Sequence, residues 1–142
     1  MDPFRQRQIG TTSLHVTQLG LGGASLGDMR ETIAEAQASA TIEAARAAGI
    51  GYFDTLPWYG NGKSELRFGH VLRSKPRDSF VLSTKVGRVH RRPCEPDSYK
   101  HPAWISGLPF EARFDYSRDG VLRAEPRPPR PQSRRGAADP RP

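Results

Sequence analysis

The chain has 142 residues, and its 22 Lys and Arg against 15 Asp and Glu give a formal net charge of +7. Cys94 is the only cysteine, which excludes an internal disulfide and any thiolate-rich metal site and fits a reducing, cytoplasmic setting. No stretch approaches the ~18 apolar residues of a membrane span, and no basic residues precede an apolar run at the N-terminus. We therefore expect a cytoplasmic protein with no membrane partner and no metal.

The positive charge is concentrated at the C-terminus. Residues 124–142 hold five Arg against Glu125 and Asp139, and they also hold six of the 13 prolines. No residue in this stretch can build an apolar core, so the composition predicts a disordered, Arg/Pro-rich tail that follows an ordered part, residues 1–123. Because no aromatic side chain is interleaved with the arginines, base stacking is unsupported and we expect no specific nucleic-acid partner.

Two short strands around a turn are predicted at Arg7–Val16, followed by a strand that runs into glycines at Leu19–Ala24. The glycines do not form a dinucleotide-binding fingerprint, because Ser25 occupies the position of its third glycine. The glycine cluster fits either a tight strand-to-helix turn or a close approach of the backbone to a bound nucleotide.

Helices alternate with strands through the middle of the chain. Small residues at helical spacing predict a helix over Glu35–Ala48 whose alanine stripe is core and whose C-terminal stop is Gly49. A second helix is predicted over Ser64–Arg73, with Leu66 and Val71 inward. A strand at Phe80–Thr84 follows it. This alternation is typical of a parallel α/β architecture. The alanine stripe consists of Ala36, Ala40, Ala44 and Ala47.

Periodicity is lost between Gly87 and Tyr116, where four prolines interrupt any regular element. A segment of this length is usually functional or disordered, and both possibilities stay open. A third helix is expected to begin near Ser117, a favourable N-cap, and to continue to Arg123.

Three polar residues form a proton-transfer set. Asp54 follows the short apolar strand that includes Phe53, Tyr59 lies five residues later, and Lys85 follows the next strand. Tyrosine, with a pKa of about 10, is a poor acid at neutral pH unless a nearby cation lowers that value. Lys85 could supply this cation, and Asp54 would keep the lysine charged and aimed. Such an acid can protonate the oxygen of a carbonyl group while its carbon is attacked.

The order FDT, YG, SE, STKVG resembles the aldo-keto reductases, over about residues 9–123 and nearest the branch that oxidises free aldoses and pyridoxal. The resemblance implies a (β/α)8 barrel, of which this length permits an N-terminal hairpin and about three β/α units, since a whole barrel takes roughly 250 residues. It also implies NADP or NAD as cofactor and a small carbonyl compound or sugar as substrate. In the family's complete members, the segment after the third strand lies over the active site.

The same resemblance assigns roles to individual residues. It assigns catalysis to Asp54, Tyr59 and Lys85 and places Trp58 in the substrate pocket. It also places cofactor-binding residues at the ends of the first two strands that follow the hairpin. The cofactor set is Gly22, Gly23, Ala24 and Asp54.

The family's fourth catalytic residue, a histidine at the end of a later strand, has no match. His15, His70, His90 and His101 all fall outside apolar strands, so none is assigned this role. We therefore expect a fragment that is inactive as an oxidoreductase. The alternative from another class is a non-catalytic remnant whose basic tail binds polyanions.

The tail changes composition abruptly at Ala124, inside a predicted helix. Arg, Pro, Ala and Gly are the residues that GC-rich codons give when they are translated out of frame. The composition predicts a frameshift near codon 123, so that another reading frame should encode the rest of the third helix and a strand ending in histidine.

Overall fold

The computed structural model describes residues 2–95 and 103–124. The predicted disorder and altered reading frame of the tail concern residues 125–142, which lie outside the described residues. Ala124, which the composition assigned to the tail, is the last residue of a helix.

The described part contains seven strands and three α-helices. The strands are β1 (Gln6–Gln8), β2 (His15–Thr17), β3 (Leu21–Gly22), β4 (Tyr52–Asp54), β5 (Val81–Ser83), β6 (Arg88–Arg91) and β7 (Glu111–Phe114). The helices are α1 (Glu35–Ala47), α2 (Lys63–Leu72) and α3 (Arg118–Ala124).

A parallel sheet of order β3-β4-β5 forms the centre of the fold. Phe53 in the middle strand is fully buried, and its ring lies 5.8 Å from Phe68 of α2 and 6.4 Å from Phe80. Helices α1 and α2 both pack on the apolar cluster around Phe53, α1 through Ile42 and α2 through Val71. The expected parallel α/β organisation is confirmed, with β1 and β2 as an antiparallel hairpin ahead of the sheet.

The inward faces of the two longer helices differ from those predicted. In α1 the four alanines of the predicted stripe are exposed, and Ala38 and Ile42 are buried instead. In α2, Val71 is buried as expected, but Leu66 is 62% exposed. Spacings of three and four fit more than one face of an alanine-rich helix, and the bulky Ile42 decides which face is turned to the core.

The segment predicted to be irregular contains an antiparallel pair. Strand β6 pairs with β7 in the register Arg88 with Phe114 and Arg91 with Glu111. Sequence periodicity could not reveal this pair, because the two strands are short, charged and separated by a long connection that lacks a tight-turn signal.

The predicted ends of two helices are confirmed. Gly49, which follows the C-cap residue Ala48 of α1, has a left-handed φ of 98°, the conformation that favours glycine at a helix C-terminus. The Ser117 side-chain oxygen accepts a hydrogen bond from the Gly120 backbone N–H at 3.1 Å and so caps α3. Among the described helices, none combines the length and apolar character needed to cross a membrane.

Candidate active site

The three parallel strands end at one edge of the sheet, where side chains from different parts of the sequence meet. Gly22 lies opposite Asp54, and Asp54 lies opposite Ser83. Lys85 follows two residues after Ser83 at the same edge. In parallel α/β proteins this carboxyl edge is where ligands and chemistry are found.

Asp54 and Lys85 form an ion pair with 2.6 Å between Oδ1 and Nζ. Lys85 also donates to the Thr55 carbonyl oxygen at 3.1 Å, while the second Asp54 oxygen accepts a hydrogen bond from Ser83 at 2.6 Å. The pair is partly open to solvent, with 32% of the Asp54 side chain and 44% of the Lys85 side chain exposed. Solvent screening limits the stability such a pair gives to about 0–1 kcal/mol. Its main consequence is therefore the fixed position of the ammonium group.

Tyr59 is brought to this pair by an unusual turn. Residues Tyr59–Gly62 form a 3-10 turn in which Gly60 and Asn61 have left-handed φ values of 63° and 52°. The backbone of this turn packs closely against Gly27, where a Cβ atom would lie only 2.6 Å from the Tyr59 backbone. As a result, Lys85 Nζ lies 5.6 Å from the centre of the Tyr59 ring. The structure thus brings together all three residues of the predicted proton-transfer set.

Two tryptophans form an aromatic wall beside Tyr59. Trp104 is buried, and its ring packs edge-on against Trp58 at 5.1 Å and Tyr59 at 5.9 Å. Trp104 belongs to the segment after β6, so part of that segment lies against the candidate site. Trp58, the predicted substrate-pocket residue, is half-buried beside the tyrosine.

The predicted cofactor residues occupy different environments. Gly22 is exposed, and a Cβ there would have no atom within 4 Å. Gly23 is buried, and a Cβ there would lie 2.5 Å from both Phe68 and the Ser64 hydroxyl. Ala24 precedes the short 3-10 turn Ser25–Gly27. Close packing thus accounts for Gly23, whereas the open surface at Gly22 next to Asp54 fits the close approach of a ligand.

A pair of glycine substitutions should separate these two environments. Gly23→Ala should destabilise the chain by about 1–3 kcal/mol, because the added methyl overlaps Phe68 and Ser64. Gly22→Ala, which meets open space, should change the urea midpoint little. Tryptophan fluorescence during urea unfolding would measure both, and equal midpoints would contradict this account of Gly23.

A buried charge network lies under the site, and sequence analysis missed it. Asp28 is fully buried, and its carboxylate accepts hydrogen bonds from Lys63 at 2.6 Å, Arg67 at 2.7 Å, Ser106 and the Ile33 backbone. Burial by itself raises the pKa of Asp28, but the hydrogen bonds from Lys63, Ser106 and Arg67 outweigh it and hold the pKa well below its usual range.

The network joins two segments that carry site residues. Lys63 opens α2 directly after the Tyr59 turn, and Ser106 lies two residues after Trp104. Both bind the Asp28 carboxylate. The spacing of four between Lys63 and Arg67, which puts two cations on one helix face, was the available sequence signal. It did not identify the distant acid that neutralises them.

Glu65 is a second carboxyl group in an unusual environment. Burial raises its pKa, although a hydrogen bond from Thr84 at 2.7 Å partly opposes this. A raised pKa in the folded state means that the folded chain binds this proton more tightly than the unfolded chain. Its contribution to stability is therefore full below the unfolded pKa and is lost as the pH rises through the folded value.

Glu65→Gln should remove this pH dependence. The difference in urea midpoint between the variant and the original chain should shift in favour of the variant as the pH rises from about 4 to 7. A difference that is constant across this range would show that Glu65 is not buried as described.

The structure describes three of the four histidines. His15 and His70 are exposed, His90 lies in β6 against Phe110, and His101 lies outside the described residues. Within residues 2–95 and 103–124, no three His, Cys, Asp or Glu side chains come together as metal ligands.

Comparisons with known proteins agree on one family. Residues 18–121 match the family model described as the aldo/keto reductase family. The chain is 42% identical over 127 residues to pyridoxal 4-dehydrogenase from Microbacterium luteolum and 42% identical over 115 residues to D-threo-aldose 1-dehydrogenase from a Pseudomonas species. These matches cover 84% and 76% of this chain.

A solved structure gives the same result. The holo form of an aldo-keto reductase from Bacillus halodurans superposes with a TM-score of 0.53 at 37% identity, over 59% of this chain and 26% of that protein. The matches to the two dehydrogenases span 37% and 34% of those proteins, about a third of their length. The similarity therefore corresponds to part of a TIM barrel.

Proposed function

Because the chain belongs to the aldo/keto reductase family, we propose that it carries the proton-transfer side of an NAD(P)-dependent oxidoreductase active site acting on aldose or aldehyde substrates. The observation that carries the proposal is the meeting of Asp54, Lys85 and Tyr59 at the carboxyl edge of the sheet.

Each member of this set has a separate task. The Tyr59 hydroxyl gives a proton to the substrate oxygen during carbonyl reduction and takes one during oxidation of an alcohol. The Lys85 ammonium stabilises the negative charge that develops on the Tyr59 oxygen as this oxygen gives up its proton. Asp54 accepts two hydrogen bonds, from Lys85 and Ser83, and so fixes the direction of the ammonium group.

The residues present fit one side of a nicotinamide cofactor site. Gly22 offers an open backbone surface next to Asp54, and the two would hold NADP or NAD, with Gly23 and Ala24 shaping the turn beneath. The cofactor, when bound, supplies or accepts the hydride. The protein groups hold the reacting carbonyl oxygen near Tyr59 and exclude water with the Trp58 and Trp104 rings.

The names of two relatives and the aromatic side chains beside Tyr59 support the proposed substrate class. Pyridoxal and D-threo-aldoses appear in the names of two proteins with 42% identity to this chain. The half-buried Trp58 ring beside Tyr59 offers a flat apolar surface suited to a sugar or an aromatic aldehyde. A small carbonyl compound or sugar in the cytoplasm is therefore the proposed partner.

The 142-residue chain by itself should show no NAD(P)-dependent turnover of aldoses or aldehydes above background. The three described parallel strands supply one part of a cofactor cleft, and a proton donor has nothing to act with unless the nicotinamide is held beside it. A spectrophotometric assay of NADH and NADPH would test this. Turnover that disappears in Tyr59→Phe would show that the chain assembles a working site without further residues.

The positive arm of the test uses a hybrid protein. The matching segment of pyridoxal 4-dehydrogenase from Microbacterium luteolum would be replaced by residues 2–124 of this chain. The proposed function predicts that the hybrid oxidises pyridoxal with a nicotinamide cofactor. A folded hybrid without activity would contradict it.

A further inference from the structure

A cavity of about 400 Å³ lies between α2, β6 and α3. Its volume is in the range of small-molecule sites in proteins. The polar side chains around it come from all three elements and are mostly basic. They are Glu65, Arg88, His90, Arg91 and Arg123.

The charge of this cavity is unbalanced among the described residues. Three guanidinium groups and one carboxyl group line the cavity, and burial raises the pKa of that carboxyl, Glu65, so its charged form is disfavoured. Neither Arg88 nor Arg91 forms an ion pair within the described part of the chain, and Arg123 pairs with Asp115 at 3.2 Å. A surplus of fixed positive charge in a concave site favours an anionic ligand.

Arg88 is fixed by aromatic contacts, but one of its hydrogen-bond donors has no partner among the described residues. Its guanidinium carbon lies 4.1 Å from the centre of the Trp58 ring and 4.5 Å from that of Phe114, so two aromatic rings fix its position. Its Nη1 atom is buried, and no described residue accepts a hydrogen bond from it. A buried donor without an acceptor destabilises the folded chain, and an acceptor atom on a bound ligand would offset this penalty.

His90 provides the complementary group. Its ring stacks on Phe110 at 5.8 Å. Burial lowers the pKa of His90 and so favours the neutral ring at pH 7. The Nε2 atom of this ring is buried and has no hydrogen-bond partner in the described chain, so in the neutral tautomer with the proton on Nδ1 it is an unsatisfied acceptor.

We propose that this cavity binds a small anion bearing a phosphate group. A singly or doubly charged phosphate offers oxygens that accept hydrogen bonds from Arg88, Arg91 and Arg123. Its remaining P–OH group can donate to His90 Nε2. The planar guanidinium group of arginine can donate two parallel hydrogen bonds to phosphate oxygens, so it matches phosphate in geometry as well as in charge. A carboxylate or a sulfate has the accepting oxygens but lacks this proton at neutral pH.

Trp58 is the natural reporter, because the Arg88 guanidinium lies over its ring. The full 142-residue chain would be titrated with inorganic phosphate at constant ionic strength while tryptophan fluorescence is recorded. A parallel titration would use sulfate. The expected result is a saturable change with phosphate, at about tenfold higher affinity than with sulfate, since one additional hydrogen bond, from P–OH to His90 Nε2, separates the two ions.

Two matched variants locate the site. Arg91→Gln, at an exposed end of β6, should weaken phosphate binding about tenfold by removing one charged donor. Arg118→Gln makes the same change of charge on α3 outside the cavity and should leave binding unaltered. His90→Phe keeps an aromatic ring against Phe110 and should abolish the preference for phosphate over sulfate. Circular dichroism would establish that each variant is folded.

Glucose 6-phosphate in place of inorganic phosphate, with both titrations at a pH of about 6 so that roughly half of the ester keeps its P–OH group, would identify the source of the group. Tighter binding of the ester would assign the cavity to a phosphorylated metabolite, and equal or weaker binding would assign it to the free ion. A linear response to phosphate, equal affinity for sulfate, or equal losses in Arg91→Gln and Arg118→Gln would each overturn the proposal.

Discussion

Asp28→Ala should raise the rate of amide hydrogen exchange in α2 and in residues 103–110 by about a hundredfold to a few thousandfold. The basis is the cost of breaking a buried ion pair by removing one partner, about 3–5 kcal/mol, where 1.4 kcal/mol corresponds to a factor of ten. The variant removes the Asp28 carboxylate that pairs with both Lys63 and Arg67. Only 2% of the Arg67 side chain is exposed, so its charge would lose this partner while it stays buried.

The network should respond as a unit because Asp28 is shared. Its carboxylate holds the start of α2 through Lys63 and the Trp104 segment through Ser106, so its loss should free both regions together. Glu43→Gln is the matched control, since Glu43 also pairs with a lysine at 2.7 Å but at the surface. That change should cost at most about 1 kcal/mol. Equal exchange rates in the two variants would refute the structural role of Asp28.

The Asp28 network also has a predictable pH dependence. Because the folded pKa of Asp28 is depressed, its contribution is present above the unfolded value and is lost as the pH falls through the folded value. Its contribution should therefore be full above about pH 5 and should decrease progressively as the pH falls below the unfolded value, where the unfolded chain takes up the proton first.

Tyr59→Phe in the hybrid dehydrogenase should lower kcat for pyridoxal oxidation by about 10²–10⁴-fold, the usual contribution of a positioned acid or base. The substitution removes one hydroxyl and keeps the ring that packs edge-on against Trp104. The fold should therefore be preserved while proton transfer fails.

Tyr52→Phe is the control for this result. Tyr52 lies in β4, two residues before Asp54, and its hydroxyl shares a 3.1 Å hydrogen bond with Ser83. Since this hydroxyl belongs to the sheet and not to the proposed proton path, kcat should change less than tenfold, as expected for the loss of one neutral hydrogen bond worth about 1 kcal/mol. Equal losses in the two tyrosine variants would contradict the role given to Tyr59.

Sequence analysis predicted the parallel order of the strands and the grouping of Asp54 with Lys85, because each follows a short apolar strand. Strands joined by helices run parallel, so their carboxyl ends must meet at one edge. Tyr59 was predicted in the same set from its position five residues after Asp54, but its approach to Lys85 depends on the left-handed conformations of Gly60 and Asn61.

The features that were missed depend on long-range contacts. Asp28 and Arg67 are 39 positions apart, and nothing in the local pattern around either residue indicates the other. The pairing of β6 with β7 has the same origin. The inward face of α1 was mispredicted because alanines at several faces give almost equal patterns, whereas the single bulky Ile42 determines the packing.

The most direct test of the proton-transfer set is a double-variant cycle in the hybrid, with kcat measured for Tyr59→Phe, Lys85→Met and the two combined. If Lys85 acts through the tyrosine hydroxyl, removing the lysine from the Tyr59→Phe protein should cost almost nothing further, so the double variant should match the slower single variant. Losses that multiply, each variant lowering kcat by its own full factor in either background, would show that the two residues act independently and would contradict the set proposed here.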